Sequence, residues 1–77
     1  MDKEEHISIH YNFMGKPIAV GYRGKDFKYF SNANEVIGFF QGRKINRGII
    51  VDPDVGEPRT EIYSGLKKLG FNVIAGD

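Results

Sequence analysis

Between His6 and Met14 the chain alternates without interruption: Ile7, Ile9, Tyr11 and Phe13 fall on one side, His6, Ser8, His10 and Asn12 on the other. A period of two marks a strand with one buried and one solvated face. Gly15-Lys16 follows, with glycine first as a type II′ hairpin turn prefers. The alternation then resumes from Pro17 to Arg23, with Ile18, Val20 and Tyr22 set against Ala19, Gly21 and Arg23. Gly24-Lys25 repeats the turn chemistry, and Asp26 to Phe30 reads as a third strand with Phe27 and Tyr29 on the apolar side. Two-residue turns would pair Phe13 with Ile18, Tyr11 with Val20 and Ile9 with Tyr22. On the second hairpin they would pair Tyr22 with Phe27 and Val20 with Tyr29, and set Arg23 opposite Asp26 as a cross-strand ion pair. In this register Tyr22 is the central ring of the core, and Phe30 lies on the outer face opposite Ala19.

The pattern then changes period. Asn32-Ala33-Asn34-Glu35 has the spacing of a capping box, and predicts a helix from Ala33 to about Gln41 with Ala33, Val36, Ile37 and Phe40 toward the sheet and Gly42 ending it. Gly38 weakens that helix by about 1 kcal/mol relative to alanine, so packing must hold it. After the basic loop GRKINRG, Gly48 to Asp52 reads as a fourth strand. The turn DPDVGEP leads into a second helix with Pro58 at its first position, Ile62, Leu66 and Leu69 on one face, Lys67 and Lys68 outside it, and Gly70 at its end. Phe71 to Ala75 is the fifth strand. Residues 48–75 thus form a β-α-β unit, whose crossover is right-handed and whose strands run parallel. The expected fold is α+β, a two-layer βββαβαβ sandwich: an antiparallel three-strand meander plus the C-terminal β-α-β unit, with two helices on one face of a mixed five-stranded sheet. The expected strand order is third-second-first-fourth-fifth.

Length bounds the rest. Seventy-seven residues and 8.7 kDa make one domain, 1–77, with 1–5 read as a disordered N-terminal tail; such a chain buries only roughly 60% of its unfolded surface. Ten aromatic residues, six Phe and four Tyr, therefore supply much of the core. Cysteine is absent, which excludes disulfides, thiolate zinc sites and thiol nucleophiles. No apolar run approaches the ~20 residues of a membrane span. MDKEEH is charged and lacks a signal-peptide core. These features lead to the expectation of a soluble, cytoplasmic domain.

The net charge of +1 hides a segregation. Residues 16–47 hold seven Lys and Arg against Asp26 and Glu35, a net +5, whereas residues 52–61 hold four carboxylates against Arg59, a net −3. His10, Asn12, Arg23, Lys25, Lys28, Arg43, Lys44 and Arg47 are the candidate nucleic-acid or partner-binding residues. In the expected register His10, Asn12, Arg23 and Lys28 share the outer sheet face, where Ala19 and Gly21 permit close approach. Ordinary solvated strands and turns use Lys and Arg in the same way. The three strands and first helix, 7–42, resemble the arm-type DNA-binding domains of phage integrases in pattern, which implies DNA binding. No shared motif carries that likeness, and the β-α-β unit lies outside it.

Asp52, at a strand end, and Asp54 are weak candidates for Mg²⁺, with Glu57 and Glu61 nearby. Asp and Pro also build turns, and acidic residues favour a helix start. DPDVGEP fails the calcium-loop template, since its Gly comes one place early and no Glu stands at the twelfth position. His6 and His10 lie about 13 Å apart at strand rise, too far for one ion. No G-x-S-x-G elbow or phosphate-loop spacing occurs. Phe30, Phe39, Ile50 and Ile74 lack an obvious burial site and are the candidate apolar interface. The resulting expectation is a non-catalytic module without cofactor that docks on a protein or nucleoprotein complex. Its size and simplicity are those of small accessory or inhibitor proteins of phages and mobile elements. Direct nucleic-acid binding through the outer face and the 43–47 loop is the alternative, a Mg²⁺-dependent phosphoryl-transfer enzyme is third, and a homodimer fits the apolar set.

Overall fold

A computed structural model describes residues 6–12, 17–22, 25–45 and 47–76. The expected tail 1–5, the Phe13–Ile18 pairing, the Gly15-Lys16 turn, the Arg23–Asp26 ion pair and Gly24 of the second turn fall on residues outside this set. The elements are β1 (Ile7–Tyr11), β2 (Ile18–Tyr22), β3 (Lys25–Phe30), α1 (Ala33–Phe40), β4 (Ile49–Val51), a 3-10 turn (Pro53–Val55), α2 (Pro58–Lys68) and β5 (Val73–Ala75). All five strands form one sheet in the order β3-β2-β1-β4-β5. β1–β2 and β2–β3 are antiparallel, β1–β4 and β4–β5 parallel. This is the α+β sandwich that the alternation and the β-α-β pattern predict, with β4 and β5 each shorter than expected.

Local chemistry accounts for the helices. Asn32 caps α1, its Oδ1 accepting from the Glu35 amide at 2.9 Å, while Glu35 Oε1 accepts from the Ser31 amide at 2.9 Å. The capping box thus reaches one residue further back than the usual reciprocal pair. α2 begins on Pro58 and ends where Gly70 adopts φ 95°. The Phe71 amide then donates to Leu66 O at 3.2 Å and the Gly70 amide to Lys67 O at 3.0 Å, the double closure that satisfies the last carbonyls of a helix. Leu69, expected on the buried stripe, sits in this closure and is exposed. Ile62 and Leu66 face the sheet beside Val36 and Phe40 of α1, and all four are fully buried. A side chain on Gly65 would overlap Ile37, so the two helices meet where one of them has no side chain.

The hairpins depart from the expected registers, with different consequences. β1 and β2 pair Ile7 with Tyr22, Ile9 with Val20 and Tyr11 with Ile18, two residues from the expected alignment. The Asn12 amide closes the pairing on Pro17 O at 2.9 Å. An even shift leaves every side chain on its face. Between β2 and β3 the shift is odd. Tyr22 pairs with Lys25 and Gly21 with Asp26, but Val20 pairs with Lys28, so Phe27 is the extra residue of a β-bulge. From there Phe30 lies opposite Ile18, 8% exposed within the core, while Phe27 and Tyr29 are 50% and 51% exposed. The expected faces of Tyr29 and Phe30 are therefore reversed, while Phe27 stays on the helix side beside Phe39 but half exposed instead of buried. Gly21 permits this, since a Cβ there would stand 2.5 Å from Lys25 O and β3 occupies that space. Tyr22 is half-buried at the border of the core, not its centre.

Phe30→Ala should cost about 3–5 kcal/mol, the loss of a large buried ring, whereas Phe27→Ala should cost less than about 1 kcal/mol. Urea denaturation of both variants measures the difference, and the reverse order would restore the unbulged register.

Candidate functional site

The bulge sets Asp26 and Tyr29 on one face although they are three residues apart. On that outer face Asp26 Oδ1 lies 3.0 Å from His10 Nε2. Asn12 Nδ2 donates to Asp26 Oδ2 at 3.5 Å and to the Tyr29 hydroxyl at 3.4 Å, and that hydroxyl donates to Asp26 Oδ2 at 3.5 Å. Gly21 is the floor, and the end of β4 contributes Asp52 and Asp54 to the same cleft of about 500 Å³, which Ser8 also lines. The Asp52 amide is anchored on Ile9 O at 2.9 Å. Burial raises the Asp52 pKa above the ordinary 3.8 and the neighbouring Asp54 raises it further, while His10 and Arg59 pull it down. Arg59 is itself engaged, its Nη2 donating to Gly76 O at 2.7 Å.

This arrangement can hold or pass a proton between an imidazole and a carboxyl group. Among the described residues no hydrogen bond joins Ser8 to His10. Nor does any group of three His, Asp or Glu among the described residues come close enough to hold a metal ion. Asp52 and Asp54 alone are the pair that the sequence suggests for Mg²⁺. Asp26, Asp52 and Asp54 line the cleft together with Lys25 and His10, so carboxylates outnumber the cations there.

The expected basic face divides accordingly. His10 and Asn12 stand on the outer face, with Lys25 at the rim of the cleft, and Arg23 lies outside the described residues. Lys28 stands on the helix side, its Nζ 5.9 Å from the centroid of Phe30, because the bulge reverses the alternation before it. There it joins the cations that follow α1. Arg43 Nε donates to Phe39 O at 2.6 Å, and its guanidinium lies 4.1 Å over the Phe39 ring. Arg47 lies 4.3 Å over Tyr22, and Lys44 is exposed beside them in sequence. Phe39 also meets Phe27 at 6.2 Å and Phe30 at 5.3 Å between centroids. Among the described residues none of Lys28, Arg43, Lys44 and Arg47 has a carboxylate partner.

The apolar candidates part in the same way. Phe30 is buried and cannot line an interface, and Phe39 is half-buried inside the ring cluster. Ile50 and Ile74 pair across β4 and β5 on the outer face, with Ile74 37% exposed. Two participants escape the sequence reading: Asp26, assigned there to Arg23, and Phe27, assigned to the core. Gly21 at mid-strand, opposite Asp26, is the sequence signal of the bulge beside them.

Compared with family models, curated proteins and solved structures, the chain matches none of them. The pattern likeness to integrase arm-type domains stops at the sheet, where β1 pairs with β4 as well as β2, so the three strands and α1 are not a separate unit.

Since the folded state raises the Asp52 pKa, it binds more protons than the unfolded chain just above pH ~3.8, and stability falls as pH rises through that range. Asp52→Asn removes this component. Thermal melts between about pH 3 and pH 7 should show the variant gaining on the wild type as pH rises; parallel curves would place Asp52 in an environment like water.

Proposed function

We propose that the protein is a non-catalytic, cytoplasmic binding module that docks on a larger protein or nucleoprotein partner. Its docking surface is the ring-and-cation surface made by β3, the end of α1 and the 43–47 loop. One observation carries the reading: Phe27, half exposed, stands beside Phe39 under the guanidinium of Arg43, with Lys28 on the next ring. Aromatic and Arg side chains concentrate binding energy where they are desolvated together. A large ring at the edge of a small sheet also leaves apolar area that folding has not removed from water. The cations support the same reading, since they stack on rings and keep their charge available to a partner. A module of this kind would act as an accessory or inhibitory subunit, altering its partner by covering part of its surface.

Affinity capture from a native host lysate, with and without nuclease, tests the proposal by comparing wild type with the Phe27→Ser, Arg43→Glu double variant. The variant should melt within about 4 °C of wild type, which corresponds to less than ~1 kcal/mol, and should lose the specifically captured partner. Retention of the same partner by the variant, or the absence of any specific partner, would overturn the docking surface.

A further inference from the structure

Resting on that docking surface, we infer that its occupant is a single-stranded nucleic acid, with an unpaired base stacked on Phe27 and the flanking phosphates held by Arg43, Lys28, Lys44 and Arg47. Three physical features select this occupant. First, the surface interleaves flat rings with cations, which matches the alternation of base and phosphate along a strand. Phe27 is half exposed, and a base on its open face would join the cluster of tilted rings that runs through Phe39 to Phe30 at 6.2 Å and 5.3 Å. Second, the Arg43 guanidinium is pre-positioned. Its Nε is held by Phe39 O and its guanidinium carbon lies 4.1 Å over the Phe39 ring, so the terminal N–H groups can meet a phosphate with less loss of side-chain freedom. Third, these cations have no carboxylate partner among the described residues, while the carboxylates of the 52–54 segment line a cleft on the other face.

The competing occupants fit less well. A peptide added as a sixth strand at this surface would pair with β3, the edge strand on this side, but the bulge at Phe27 interrupts the ladder such a peptide needs. A second copy of this chain would bring the same four cations against their own kind. A duplex buries its base faces and offers Phe27 nothing to stack on.

The test is fluorescence anisotropy with a fluorescein-labelled oligo-dT, an oligo-U of equal length, and a duplex as comparison, at ~50 mM salt where phosphate contacts are strongest. The wild type should bind the single strands and bind the duplex more weakly. The logarithmic salt slope should be about −2 to −3, as three or four phosphate contacts give. Phe27→Ala should weaken binding roughly 5- to 100-fold with little change in slope, the size of one lost stacking contact. Arg43→Ala should reduce the slope by about 0.7. Tyr29→Ala, an equally exposed ring on the opposite face, should leave affinity within about twofold. Oligo-dT against oligo-U separates DNA from RNA as the source. Absence of single-strand binding, an unchanged affinity for Phe27→Ala, or an equal loss for Tyr29→Ala would overturn the inference. If single strands fail but a nuclease-resistant partner is captured in a Phe27- and Arg43-dependent way, the occupant is a protein and the docking reading stands. If capture fails as well, both fall.

Discussion

β1 is the strand on which the other elements depend, because it is the middle strand of the five and joins the antiparallel pairs to the parallel ones. It pairs antiparallel with β2 and parallel with β4, and its Ile7 and Ile9 belong to one buried cluster with Ala33, Val36 and Phe40 of α1 and Ile62 and Leu66 of α2. β4 and β5 are three residues each, too short to persist without a neighbour. Their register is pinned from β1 outward: the Ile7 amide donates to Gly48 O at 3.1 Å and the Asp52 amide to Ile9 O at 2.9 Å. The β-α-β unit is thereby an extension of the meander and shares its core. In a chain this small, removing one central pairing would uncover apolar area under both helices at once.

The second constraint is the bulge, and it matters more for function than for stability. By inserting Phe27 between the Asp26 and Lys28 pairings, it inverts the faces of the end of β3. Phe30 enters the core, while Tyr29 moves to the outer face beside Asp26 and His10. Lys28 goes to the helix side. One extra residue thus supplies a buried anchor, a hydroxyl for a carboxylate and a cation for a ring. It also spoils the edge ladder, a common protection of an exposed strand against unwanted pairing.

Charge follows from the same geometry. A formal net charge of +1 is distributed as carboxylates around the outer cleft and cations around the rings beneath α1. Faces of opposite sign orient an approaching anion before contact, and such orientation raises association rates more than affinity. The raised Asp52 pKa belongs to this distribution, since a half-buried carboxyl beside Asp54 is relieved by protonation.

Local patterns in the sequence determined the elements, their order and the layer plan. The Ile7–Phe13 alternation made β1, the Asn32–Glu35 spacing made the α1 start, Pro58 and Gly70 bounded α2, and the β-α-β pattern implied its parallel strands. These are properties of neighbouring residues, and period, caps and turn residues report them directly. The faces of β3 were not legible in that way. The sequence alternates there as Phe27, Tyr29 against Asp26, Lys28, Phe30, and either set can be buried in an isolated strand. The choice was made by β2, where the absence of a side chain at Gly21 let β3 approach closely enough to bulge, and by α1, whose Phe39 and Phe40 offered Phe30 a place among packed rings. The meeting of Tyr29 with Asp26 and the gathering of Lys28 with Arg43 followed from that choice. Both depend on contacts between residues distant in sequence, whose energies are set by the space that neighbouring strands and helices leave.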